Sequence, residues 1–171
     1  MRPAALYYLE SGQLPQRVAR SVGETNIPAW PLPETGISPI EQRYQLQFPQ
    51  LGILINLAIS EGQPAEVLRW YDRRSSVRYA QIDADTVADA IAGTYPERAA
   101  AIWQELAEAN IAQTKPAAYG EAALYLRKLR RVWTEHGKAA EWRSYVEELR
   151  AANKRKRRLI ETLDALLCER G

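Results

Sequence analysis

The stretch YPERAAAIWQELAEANIAQTKPAAYGEAALYLRKLRRVWTEHGK, residues 95–138, decides the fold. Pro96 fixes φ and lacks an amide proton, which suits the first turn of a helix and little else in one. Behind it Ala99, Ile102, Trp103 and Leu106 recur at three- and four-residue steps, one face of a 3.6-residue period. Lys115-Pro116 interrupts that row and opens a second, carried by Tyr119, Ala122, Leu126, Leu129 and Trp133. His136-Gly137 closes it, with glycine at the position where a helix leaves its own dihedral range. Two such helices joined by a short turn must lie antiparallel to bury their apolar rows.

The same period continues downstream. Trp142, Tyr145, Leu149, Ala152, Lys156, Leu159, Leu163 and Leu166 form a seam, with neither Gly nor Pro between residues 139 and 168. The seam predicts one long basic and amphipathic helix over 138–168, about 45 Å at 1.5 Å per residue. Upstream, Pro49 opens a helix running to Ser60 and closed by Gly62. Its residues Leu51, Ile53, Leu54, Ile55, Leu57, Ala58 and Ile59 are apolar on nearly every face, which predicts a central, surrounded helix. Pro64 opens a helix to about Arg74. Asp83 is an N-cap for a helix from Thr86 to Ala92, with Asp85 in its first turn. Near the N-terminus, Pro3 to Glu10, Pro15 to Arg20 and Pro39 to Gln45 read as short helices.

Residues 23–38 differ. Pro28, Pro31 and Pro33 surround Trp30, and together with Ile27, Leu32 and Ile37 they predict an extended strap laid over the helices.

Helix openings near Pro64, Asp83, Pro96, Pro116 and Lys138 lie 13 to 22 residues apart, so a helix pair occupies a span typical of helical-hairpin repeats. The expected fold is all-α: one domain over residues 1–171, an antiparallel helical-hairpin stack forming a tetratricopeptide-like right-handed α–α superhelix, with the Pro-rich strap near its N-terminus.

Composition narrows the function. At 46% hydrophobic and 26% charged residues the chain can bury a core and is not disordered. One cysteine and one histidine, Cys168 and His136, exclude an internal disulfide and any zinc site built from Cys and His alone. His136, at a helix end, reads as a cap on the carbonyl end of the dipole. Asp83, Asp85 and Asp89 read as capping and a solvated face rather than a metal site. No stretch is long and apolar enough to span a bilayer, and Met1 is not followed by a signal-peptide pattern, so a cytoplasmic protein without membrane contact is expected. No carboxylate pair or nucleophile–base set stands out. The expectation is a protein that is not an enzyme, without cofactor, metal or small-molecule substrate.

Two kinds of partner remain. Between Arg127 and Arg158 there are twelve Lys and Arg against four Glu, while the rest of the chain is acidic by six. Arg127, Lys128, Arg130 and Arg131 form one cluster, and Lys154, Arg155, Arg157 and Arg158 another around Lys156. Both are candidate contacts for nucleic-acid phosphates, the alternative being a solvated helix exterior. Antiparallel pairing is expected to bring the first cluster near the Arg150 end of the last helix. Nine Tyr and five Trp against a single Phe favour rings with a wet end. Trp30, Trp70, Tyr71, Trp103, Trp133 and Trp142 are therefore candidate contacts for a protein partner, the alternative being ordinary core packing.

Several phrases resemble the C-terminal region of bacterial SWIM-type zinc-finger proteins. They are Val67-Leu68-Arg69-Trp70-Tyr71-Asp72, Pro96-Glu97-Arg98-Ala99 with Ile102-Trp103, and Tyr125-Leu126-Arg127-Lys128. Glu141-Trp142, Leu149-Arg150 and Lys156-Arg157-Arg158-Leu159 continue the likeness in order, over about residues 25 to 167. The resemblance implies a helical, repeat-like region that ordinarily follows a Cys-x-Cys…Cys-x-His finger. This chain lacks the cysteines for that finger and so looks like the helical tail alone. The implied function is a helical scaffold for a partner chain or for the missing finger region.

Overall fold

The computed structural model describes residues 2–12, 48–74 and 82–168. The strap at 23–38 with Trp30, and the helices expected at 15–20 and 39–45, lie outside the described residues. Those described form eight helices and no strand: α1 Arg2–Ser11, α2 Leu51–Ser60, α3 Pro64–Tyr71, α4 Ala84–Ile91, α5 Pro96–Ala112, α6 Pro116–Glu135, α7 Ala139–Ala152 and α8 Arg157–Cys168.

Local chemistry sets these boundaries. Pro64, Pro96 and Pro116 each occupy the first turn of their helix. Asp83 caps α4, its carboxylate accepting from the Asp85 amide at 3.1 Å and the Thr86 hydroxyl at 2.6 Å. The Thr86 hydroxyl bond, more than the backbone amides of Thr86 and Asp85, holds the Asp83 carboxyl below the usual carboxylate range against the opposing effect of burial. At the end of α6, Gly137 takes φ +74°, a conformation costly for residues with a Cβ. There the Lys138 amide reaches back to the Trp133 carbonyl at 2.7 Å and the Gly137 amide to Thr134 at 3.1 Å. His136 stands at the same terminus, its Nδ1 2.8 Å from the Val132 carbonyl, so it serves as the expected cap.

Each helix packs against the next from α2 to α8, and α5 with α6 forms the most extensive pair. Ala99, Ala100, Ala107, Ala122 and Ala123 are buried, and these short side chains let helix axes approach. Trp103, Leu126 and Leu129 are completely buried among them. Alternate helices also touch: α2 meets α4, and α6 meets α8.

Two expectations are corrected. Among the described residues, helix α2 is not a surrounded centre. It packs on α1, α3 and α4, and Ile53 on its outer side is 52% exposed.

The helix expected over 138–168 is divided. It breaks at Asn153–Lys156 and reverses, so that Arg150 Nε lies 2.8 Å from Asp164 Oδ1. Along one straight helix those Cα atoms would stand about 21 Å apart. The Asn153 amide and side-chain Nδ2 both donate to the Leu149 carbonyl, ending α7, and the Lys156 amide donates to Asn153, closing the turn. The reversal lays Leu159, Leu163 and Leu166 in the core, where each contributes about 1.5–3 kcal/mol. Ala152, placed on the seam by its spacing, is exposed, and Val146 is buried in its stead.

Candidate functional site

The acidic residues of α4 do more than cap and solvate. Asp85 and Asp89 are one helical turn apart, on the face that α6 meets with Lys128. Its ammonium stands 2.7 Å from Asp85 Oδ1 and 2.7 Å from Asp89 Oδ2. Asp85 also accepts from the indole Nε1 of Trp103 at 2.8 Å, satisfying the donor of a fully buried ring on α5. Lys128 Nζ lies 5.7 Å from the centre of that ring. Partial burial pulls the Lys128 pKa down, but the hydrogen bonds and charges of Asp85 and Asp89 outweigh it and raise it above the ordinary lysine value. Lys128 thus ties α4 to α6 across α5, and its charge is spent inside the protein.

The other basic candidates separate. Arg130 on α6 donates to the Leu166 carbonyl at the far end of α8 (3.4 Å), whereas Lys156, just before α8, donates to Ile111 at the end of α5 (3.2 Å). Helices α6 and α8 therefore run parallel, and the two clusters lie at opposite ends of α8 rather than merging. Arg127 and Arg131 face outward from α6. Arg157 pairs with Glu161 at 3.2 Å, and Lys154, Arg155 and Arg158 are exposed.

Four of the aromatic candidates are core residues. Trp70, Tyr71, Trp103 and Trp142 are each at most 4% exposed and offer no surface to a partner. The run Val67 to Arg74 covers its own rings: Arg69 and Arg73 stack over Trp70 at 4.2 and 5.0 Å, and Arg74 over Tyr71 at 4.1 Å. These cations hold the rings dry while their heads stay wet.

Trp133 is different. It is half-buried, and it lines a cleft of ≈ 420 Å³ where the start of α5 faces the end of α6. Tyr95, Pro96 and Val132 continue the apolar lining, and Thr94, Glu97, Arg98, His136 and Lys138 complete it. The Trp133 ring is held edge-on to Tyr145 of α7, centroids 5.8 Å apart. Tyr145 in turn donates to Glu108 on α5 at 2.9 Å. Burial, and then Glu108, push the Tyr145 phenol well above its usual pKa, so it stays a protonated donor. On the rim Lys138 donates to Glu97 at 2.8 Å, a bond that lowers the Glu97 pKa and raises that of Lys138. Arg98 pairs with Asp72, tying α5 to the end of α3. The cleft is thus a firm apolar floor with a charged rim. Its floor residues come from two helix ends 38 residues apart in sequence, which periodicity alone does not bring together.

No protein-family model matches the chain, and neither a curated protein nor a solved structure matches it.

Proposed function

We propose that the chain is a non-enzymatic helical scaffold that binds a protein partner in the Trp133 cleft. One observation carries the reading: among the described tryptophans Trp133 alone is not buried, and it sits in an apolar recess rather than on a flat exterior. Large amphipathic rings held rigidly in recesses are the side chains that most often anchor protein contacts. On the rim Lys138 holds Glu97 and Arg98 holds Asp72, so these charges are balanced within the protein and the apolar floor carries the recognition. The occupant is therefore a segment that inserts one large apolar side chain.

The alternation of α2 with α4, α4 with α6 through Lys128, and α6 with α8 supports a tetratricopeptide-like stack, whose clefts receive partner segments. The likeness to the helical region of SWIM-type proteins fits this reading, since that region is coupled to a finger this chain does not hold.

Panning a random peptide library on the immobilised protein tests it. Enriched peptides should share one large apolar residue. Thr94→Trp, which fills the recess from an exposed position, should abolish their binding without loss of helicity, and Trp133→Ala should weaken it at least ~10-fold. Absence of enrichment, or binding indifferent to both substitutions, would refute the proposal.

A further inference from the structure

The turn that breaks the expected long helix also creates a second surface. Lys156 Nζ donates to the Ile111 carbonyl at 3.2 Å, which joins the α7–α8 turn to the α5–α6 turn at one end of the molecule. Residues 109–120 and 149–160 build that end. They contain Lys115, Arg150, Lys154, Arg155, Lys156, Arg157 and Arg158; the acids that flank them are Glu108, held by Tyr145, Glu161, held by Arg157, and Glu121, Glu147 and Glu148. We infer that this end binds the phosphate backbone of a nucleic-acid duplex, at a site separate from the Trp133 cleft.

Some of the seven cations are occupied within the protein. Arg150 pairs with Asp164, Arg157 with Glu161, and Lys156 is held by Ile111. Lys115, Lys154, Arg155 and Arg158 are exposed and pair with no acid among the described residues. In an unbroken helix, consecutive basic residues would point around the axis at 100° intervals and face no common target. The reversal instead sets Lys154 and Arg155 in the turn between α7 and α8, which the Lys156–Ile111 bond joins to the end of the molecule that carries Lys115. Glu147 lines the adjoining recess with Arg150 and Lys154, and with the other flanking glutamates it offsets part of this charge without reversing its sign.

The surroundings select the kind of polyanion. The large apolar side chains exposed among the described residues are Tyr7, Ile53 and Leu124, and none lies in either turn. Without an apolar wedge the end is poorly suited to insert into a bilayer. Without an exposed aromatic platform it cannot stack unpaired bases. What it offers is unpaired charge, which fits the regularly spaced phosphates of a duplex and reads no sequence. The Arg127–Arg131 cluster, at the other end of α8 and with Lys128 neutralised by two carboxylates, is not part of this site.

Fluorescence anisotropy with a labelled DNA duplex of about 20 base pairs and arbitrary sequence, and with its RNA counterpart, tests the inference. Four contacts predict that log K falls against log salt with a slope of about −3 to −4, since each phosphate neutralised contributes about −0.9. Lys154→Glu/Arg155→Glu should weaken binding at least ~30-fold, while the charge-matched Arg131→Glu/Arg143→Glu should weaken it less than ~3-fold, with circular dichroism unchanged in both. Three results would each overturn the inference: no duplex binding at about 50 mM salt, equal loss in the two variants, or binding only to phosphatidylserine vesicles. Thr94→Trp, which closes the Trp133 cleft, should leave duplex binding intact, so this site and that cleft fail or stand separately.

Discussion

Lys128 looks, in the run Leu126-Arg127-Lys128-Leu129-Arg130-Arg131, like one more member of a basic surface. Its partners Asp85 and Asp89 stand 43 and 39 residues earlier, and nothing local announces them. Asp85 is the more consequential residue, because it also satisfies the buried Trp103 indole. Asp85→Ala should therefore cost about 2 kcal/mol or more in urea denaturation, the penalty of a buried donor left without an acceptor. Asp85→Asn, which keeps an acceptor, should cost roughly half as much. The pH dependence follows from the direction of the Lys128 shift. Its folded pKa is raised, so its stabilising contribution is complete below the ordinary lysine range and is lost as pH rises through the folded value. The stability difference between the native protein and Lys128→Met should stay flat from neutrality to about pH 10 and shrink above it.

Asp83 has the opposite sign. Its folded pKa is lowered, so its contribution is present above the ordinary carboxylate range and disappears as pH falls through the folded value. Asp83→Ala should cost about 1 kcal/mol at neutral pH, and Asp83→Asn much less, because asparagine caps equally well. Below about pH 4 the native protein should lose this advantage while Asp83→Asn keeps its own cap, which a pH series of urea midpoints would read.

Among the elements, the α5–α6 hairpin shows what local sequence can specify. Pro96, Pro116 and Gly137 act on their own backbones, and the alanines between them fill one face at helical spacing, so existence, ends and inward face were all readable. Ala122 is completely buried where α6 meets α5. Ala122→Leu has no room and should destabilise by about 1–3 kcal/mol in denaturant melts. The α7–α8 turn was not readable, because its cause is distant. Every residue from 138 to 168 tolerates a helix, and Asn153 is only a mild terminator. The break wins because it brings Leu159, Leu163 and Leu166 onto α6, a gain no window along the sequence contains. The Trp133 cleft is half legible for the same reason: composition singles out the ring, but its opposite wall belongs to the start of another helix.

At the scale of the molecule, the uneven charge noted in the sequence acquires a place. Acidic α4 absorbs part of the basic α6, and the remaining excess gathers where two turns meet at one end. That leaves an apolar recess and a cationic tip, on helices whose own polar groups are largely satisfied by one another; no buried side-chain nitrogen or oxygen among the described residues lacks a partner. The general architecture, helices lying side by side in chain order, was legible from spacing. The count of helices after residue 138 was not, and with it went the direction of α8 and the relation of the two basic clusters.

That direction is where the account is most exposed to experiment. Cys168 is the single cysteine, so Glu141→Cys creates one spin-label pair spanning α7 and α8. Double electron–electron resonance should give a separation under about 25 Å, since a folded-back α8 returns beside α7 at a helix spacing of roughly 10 Å plus label arms. A distance near 40 Å, the length of an unbroken helix over those residues, would contradict the reversal and the packing of α8 on α6 that depends on it.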